Sequence, residues 1–209
     1  MFWAYVNPRN QYSWLLSPDS RLLLDYLLPL RMHKCVFLDR DGVLNLDDPK
    51  YTYLVSRFHI IPGVPRALYE MKEAGYLLIV VTNQSGIARK IYTRRQMDLC
   101  HIYLQEACDH MIDHIYFSPY HETVTNSLTK KPGSLLFEKA IARFDIDVKK
   151  SWMIGDRSRD LIPAKKLGIK TIQIGDECVA PDLGDYKVDD LLSAAKLIHG
   201  TTFATATRL

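Results

Sequence analysis

The feature that most constrains this chain is residues 37–45, FLDRDGVLN. Cys35, Val36, Phe37 and Leu38 form a short apolar run, the pattern of a strand covered on both faces. The run stops abruptly at Asp39, Arg40, Asp41 and Gly42. Two carboxylates two residues apart do not build a core. At the carboxyl end of a parallel strand, where open α/β sheets collect their ligands, they can hold a divalent cation. The plain alternative is a strand followed by an Asp-Gly turn, and this stretch alone does not separate the two.

The chain beyond it alternates strand with helix. Residues 34–38, 76–81, 114–117, 151–154 and 170–174 read as strands. Pro62-Gly63-Val64-Pro65 opens a helix to about residue 73 that stops at Gly75. Further helices are expected over 93–110, 134–144, 161–167 and 189–199. This order implies an α/β fold, a mainly parallel Rossmann-like sheet with helices on both faces. The gaps between strands are too short for a large cap domain. The longest inserts, 43–60 (with a flap hairpin over 51–60) and 118–132, are expected to shape substrate choice. Residues 32–209 read as one domain. Residues 1–31 read as an extension, either a short helix capped by Ser17-Pro18-Asp19-Ser20 or a segment without order, and Met32 is a second plausible start.

Charge and cysteines narrow the function classes. With 27 Lys and Arg against 24 Asp and Glu, the net charge is +3, too mild for a nucleic-acid or membrane surface. No stretch is apolar enough to span a bilayer, and MFWAYVNPRN lacks a secretory start. Cys35, Cys100, Cys108 and Cys178 are scattered, which reads as reduced thiols without disulfides or a cysteine zinc site. Cytoplasmic residence is expected, as a monomer or weak homo-oligomer.

Polar residues recur behind the expected strands. Thr82-Asn83-Gln84-Ser85-Gly86 follows the second, Gly155-Asp156-Arg157-Ser158-Arg159-Asp160 the fourth, and Lys130-Lys131-Pro132-Gly133 lies between them. Each has a dull reading as a cap or turn. Together they meet the needs of phosphate-ester cleavage. An anionic nucleophile is repelled by an anionic phosphate unless a cation such as Mg²⁺ bridges them through hard oxygen ligands. A carboxylate can then attack phosphorus in line. A second acid protonates the leaving oxygen and later activates water. A lysine and neutral donors hold the equatorial oxygens.

DRDGVLN, VVTNQSGIAR, KKPG and GDRSRD, in this order over about residues 34–175, resemble the four motifs of the haloacid dehalogenase superfamily of phosphatases. Within it they are similar to the histidinol-phosphatase and D-glycero-D-manno-heptose 1,7-bisphosphate 7-phosphatase group, TNQSGIAR favouring the heptose enzymes. The resemblance implies Asp39 as nucleophile and Mg²⁺ ligand. It implies Asp41 as general acid and base, with its backbone carbonyl on the metal, and Asp156 as the third protein ligand. Thr82 and Asn83 would bind the transferring phosphoryl group, Lys131 would neutralise it and orient Asp39, and Asp160 would support the site from behind. Gln84, Ser85, Lys130 and Arg157 are further candidates for substrate contact. Lys130 stands where the heptose enzymes usually carry arginine, and Lys90 where they carry glycine.

The group often carries a zinc-stapled loop. Here its ligand positions are Ser118, Tyr120, Ser127 and Thr129, so no zinc is expected and the loop is shaped by its own packing. The resemblance implies a Mg²⁺-dependent phosphatase that works through an aspartyl phosphate and removes the 7-phosphate of D-glycero-D-manno-heptose 1,7-bisphosphate, with histidinol phosphate or another small sugar phosphate as alternatives. An inactive binding protein on the same fold is the reading from another class. His33, His59, His101, His110, His114 and His199 are expected at the surface or at strand edges, and Trp152 in the core.

Overall fold

The computed structural model describes residues 32–175 and 183–206. The expected extension over 1–31 and Cys178 lie outside the described residues. Six strands form one sheet in the order β3-β2-β1-β4-β5-β6: β1 Cys35–Leu38, β2 Leu77–Asn83, β3 His114–Ser118, β4 Trp152–Gly155, β5 Lys170–Ile174 and β6 Tyr186–Val188. Every pairing is parallel. The order reverses at β1, so the carboxyl ends of β1, β2 and β4 lie side by side at the switch point where such sheets bind ligands.

Alternation along the strands divides the core into two layers. Val36 and Leu38 point to one face with Leu78, Val80, Trp152 and Ile154. Cys35 and Phe37 point to the other with Ile79, Val81 and Met153. The first face is covered by α1 Val64–Glu73, α2 Arg94–Ala107 and α5 Leu191–Ala206. Helix α1 buries Val64, Ala67, Leu68 and Met71, an i, i+3, i+4, i+7 stripe. Thr93 and Gln96 close a capping box at the start of α2, which fixes the start that the sequence predicts. The second face is covered by α3 Leu135–Phe144 and α4 Ser158–Lys166, with the Phe37 and Phe137 rings 5.2 Å apart. Trp152 is buried as expected.

Three expectations are corrected. No flap hairpin forms over 51–60. A single bridge, Asn45 to Ile60, closes the base of the insert, which carries a 3₁₀ turn at Val55–Arg57. Thr52 and Phe58 are buried, so the segment is anchored to the body of the domain instead of pairing with itself. Strand β6 was not expected. It is three residues long, with Tyr186 and Lys187 exposed, and a short charged edge strand has no apolar run to announce it. Helix α5 runs on to Ala206, beyond the expected end at 199. No helix among the described residues is long and apolar enough to cross a membrane.

Candidate active site

The turn after β1 is wound tightly around one carbonyl. The Arg40 C=O accepts from the N–H groups of Leu44 at 2.8 Å and Asn45 at 3.2 Å. Gly42 sits at φ +83°, and a Cβ there would lie 2.3 Å from Asp156 Oδ2. Glycine therefore serves both the left-handed turn and the close approach of the β4 loop.

Three carboxylates converge here. Single oxygens of Asp39, Asp156 and Asp160 all lie within 4.8 Å of one another. Lys131, fully buried, reaches up among them. Its Nζ is 2.8 Å from Asp39 Oδ1, 2.7 Å from Asp160 Oδ1 and 2.6 Å from the Val81 carbonyl. Burial alone would lower the lysine pKa, but Asp160 and Asp39 overcome it and hold Lys131 above the ordinary range. Burial, then the Asp160 charge, raises the Asp39 pKa. Asp39 Oδ1 also accepts from the Arg40 N–H at 2.7 Å. Asp160 is committed behind the site, because its Oδ2 accepts from the Arg157 N–H at 3.1 Å.

Asp160 Oδ1 lacks a hydrogen-bond donor but lies 2.7 Å from Lys131 Nζ, whereas Asp156 carries an oxygen with neither a donor nor an ion pair. Its Oδ1 is buried and accepts no hydrogen bond among the described residues. Burial, then Asp39 and Asp160, push its pKa up to about 7. A buried, orphaned carboxylate oxygen beside Asp39 suits a hard divalent cation. The folded value of about 7 stands above the ordinary 3.8, so between these values the folded chain binds more protons than the unfolded one. Without a cation, stability should therefore fall as pH rises from about 4 through about 7. Urea midpoints between pH 5 and 8 would show this, and Asp156→Asn should flatten the slope. Equal slopes in the two proteins would mean that Asp156 ionises normally.

Asp41 points to a different set of partners. Arg40, only 1% exposed, donates from Nη2 to Asp41 Oδ1 at 2.8 Å and Oδ2 at 3.0 Å, and to the Thr52 carbonyl at 2.9 Å. Asn45 Nδ2 and Gln84 Nε2 donate to the same carboxylate at 3.0 and 3.2 Å. Asp41 is thus fixed in direction at the cleft wall. Behind Arg40 lies His101, 3.3 Å away at Nε2. Burial, then the Arg40 charge, lowers its pKa to about 3. The imidazole is neutral, and Nε2 accepts because an arginine can only donate. His101 is therefore not a surface residue. It shares the buried stripe of α2 with Met97, Cys100 and Leu104, a helical spacing visible in the sequence.

Two expected substrate contacts are spent on the protein. Asn83 Nδ2 donates to the Lys131 carbonyl at 3.0 Å, and its Oδ1 accepts from the Lys131 N–H at 2.9 Å. Asn83 thus fixes the backbone that carries Lys131. Gln84, 2% exposed, donates to Asp41 and, at 3.0 Å, to Thr82 Oγ1, and accepts from Tyr92 OH at 2.8 Å. With Thr82 Oγ1 accepting from Gln84, the threonine's own proton remains to be donated.

Both long inserts line a cleft of about 300 Å³, together with Asp41, Ser85, Lys130 and Arg157. Arg157 pairs with Asp47 at 2.7 Å and approaches Asp156 at 3.5 Å, so it clips the 43–60 insert to the β4 loop. The pairing of Asp47 was not legible in the sequence. Lys130 pairs with Glu122. At the staple positions, Ser118, Ser127 and Thr129 join through hydroxyl hydrogen bonds of 3.0 and 2.8 Å, and Tyr120 is exposed.

Comparison with known proteins agrees with this geometry. Residues 49–174 match the haloacid dehalogenase-like hydrolase family. A D-glycero-β-D-manno-heptose-1,7-bisphosphate 7-phosphatase of Haemophilus ducreyi is 35% identical over 173 residues, covering 77% of this chain and 93% of the relative. A D-glycero-α-D-manno-heptose-1,7-bisphosphate 7-phosphatase of Campylobacter jejuni is 37% identical over 147 residues, 69% of this chain and 83% of that one. In fold, the chain resembles the D,D-heptose 1,7-bisphosphate phosphatase of B. bronchiseptica, crystallised with magnesium and phosphate, at a TM-score of 0.73 and 24% identity over 80% of this chain and 99% of that one. With the four motifs gathered at one sheet end and relatives matched over most of its length, the chain belongs to the haloacid dehalogenase-like hydrolase family, as one of its phosphatases.

Proposed function

We propose that the chain is a Mg²⁺-dependent phosphomonoesterase of the cytoplasm that works through an aspartyl phosphate on Asp39. We propose that it removes the 7-phosphate of D-glycero-D-manno-heptose 1,7-bisphosphate. The observation that carries the chemistry is the buried Lys131 ammonium between Asp39 and Asp160, with the orphaned Asp156 oxygen beside them. The substrate rests on the relatives that share the chain's length and motifs.

Asp39 and Asp156, with the Asp41 backbone carbonyl, would hold the cation. Bound Mg²⁺ would screen the phosphate charge from Asp39 and polarise the phosphoryl oxygens. Asp39 attacks phosphorus through Oδ2, while Oδ1 stays against Lys131 and the Arg40 N–H. The bond from phosphorus to the sugar oxygen breaks, and Asp41 gives that oxygen its proton. Asp41 then takes a proton from water as the water attacks the aspartyl phosphate, which frees phosphate and restores Asp39. Thr82 donates to an equatorial oxygen and Ser85 faces the same group. Lys131 Nζ already donates to the Val81 carbonyl and is held in ion pairs by Asp39 and Asp160, so its charge acts through space while its geometry orients Asp39.

The test is phosphate release with Mg²⁺ or EDTA on both anomers of heptose 1,7-bisphosphate, histidinol phosphate and fructose 1,6-bisphosphate. A Mg²⁺-dependent preference for a heptose anomer is expected. Preference for histidinol phosphate would overturn the substrate and leave the residue roles. Turnover undiminished in EDTA would overturn the cation.

A further inference from the structure

Arg40 aims Asp41, and the contacts that hold Arg40 are unevenly placed. Nη2 donates to Asp41 Oδ1 and Oδ2 and to the Thr52 carbonyl. Bonds that share one atom act as a pivot and leave rotation about it open. Nε adds a bond of 3.2 Å, but again to Asp41 Oδ1, so it moves with the carboxylate it should hold. On Nη1 the hydrogen bond among the described residues goes to His101 Nε2, at 3.3 Å. That contact fixes the guanidinium at a second point, off the pivot. The Phe58 ring, centred 5.4 Å from Cζ, packs on the cation without a hydrogen bond.

His101 is itself firmly placed. It is 9% exposed, it belongs to the buried stripe of α2, and the capping box at Thr93 fixes the start of that helix. An apolar side chain would fill the stripe equally well, so the packing of α2 does not call for an imidazole. The buried Arg40 donor does, because it needs an acceptor. We propose that His101 is a positioning residue for protonation of the leaving group: through Arg40 it holds the Asp41 carboxyl where it meets the departing ester oxygen. Asn45 and Gln84 also hold Asp41, so loss of His101 weakens the aim without abolishing it. The consequence is selective. An alkyl phosphate releases an alkoxide that must be protonated as it leaves, whereas p-nitrophenolate and acetate leave as stable anions. A misplaced acid slows the first class and spares the second.

This inference rests on the reading of Asp41 as the general acid, and its test separates the two. kcat/KM, which covers the steps through release of the leaving group, is measured in the full chain for an alkyl and an activated phosphate. The alkyl ester is whichever substrate named above the parent hydrolyses fastest, so the identity of the sugar does not enter. The activated ester is p-nitrophenyl phosphate, or acetyl phosphate if the cleft excludes the aryl ring. Both draw on the same folded molecules, so any loss of folded protein cancels in the alkyl-to-activated ratio. Asp41→Asn should lower that ratio about 10²-fold or more, the contribution of a general acid. His101→Phe, which keeps a ring but no acceptor, should lower it about 10-fold. His101→Gln, whose amide oxygen accepts from Nη1, should restore most of the loss. His101→Phe added to Asp41→Asn should lower the ratio no further, because both act through one group. If phenylalanine prevents folding, the smaller His101→Leu carries the same expectation. An unchanged ratio in the apolar variant, a glutamine variant equally impaired, or full additivity with Asp41→Asn overturns the proposal. An unchanged ratio in Asp41→Asn ends the acid assignment, and His101 then has nothing to position.

Discussion

Asp39→Asn should abolish turnover while the protein keeps its fold. The change preserves shape and volume at a position that is 2% exposed. It removes the attacking oxygen's charge, and a lost nucleophile costs at least about 10³-fold in kcat. The fold should tolerate it for a local reason. Asp39 is held in a cluster where burial, then Asp160, work against its ionisation and Lys131 offsets them only in part, so neutralising it relieves repulsion in the metal-free chain. Lys131 keeps Asp160 at 2.7 Å and the Val81 carbonyl at 2.6 Å. The metal-free variant should therefore melt no lower than the parent, while the rise in melting temperature with added Mg²⁺ shrinks because one ligand has lost its charge. Near-normal turnover in a sequence-verified Asp39→Asn protein would end the covalent mechanism.

What the sequence made legible here, and what it hid, follows from where each residue's environment is set. Asp39, Thr82 and Asp156 stand where an apolar strand stops, so a local pattern marks them, and the parallel sheet then brings the strand ends together. Lys131 was marked by its place in a motif. Its depth comes from Asn83, whose side chain grips the Lys131 backbone from 48 positions away. Arg40 was the largest silent residue. Between two aspartates it reads as a solvated charge, yet it is buried because Asp41, the Thr52 carbonyl and His101 surround it. Those partners come from the turn itself, the 43–60 insert and α2, and no local period announces such a meeting. The same cause explains Gln84. The motif placed it among the substrate contacts, while Tyr92 and Thr82 draw it into the wall as the brace of Asp41. The flap hairpin over 51–60 does not form because the segment packs on the body of the domain, with Thr52 and Phe58 buried, and those contacts are set by residues distant in sequence.

Lys131→Ala should lower kcat by about 10²–10³-fold, the loss seen when one preorganised transition-state contact is removed. Two effects contribute. Asp39 loses the ammonium that fixes Oδ1, so its free oxygen no longer points reliably along the line of attack. The transferring group would also lose a fixed positive charge held next to the nucleophile, among residues shielded from water. This variant carries a stability penalty that Asp39→Asn does not. It leaves Asp39 and Asp160 facing each other in the interior without their shared cation, and breaking a buried pair this way costs about 3–5 kcal/mol. Excess Mg²⁺ should recover part of that loss through Asp39, and the double variant Lys131→Ala with Asp160→Asn should recover more by removing the stranded charge behind the site. Melting temperatures of the single and double variants measure the structural share. Residual kcat in the refolded double variant measures the catalytic share, which should remain about 10²-fold or more below the parent. If the double variant regained parental kcat along with its stability, Lys131 would serve only to neutralise the buried acids, and orientation of the nucleophile would have to come from the Arg40 N–H alone.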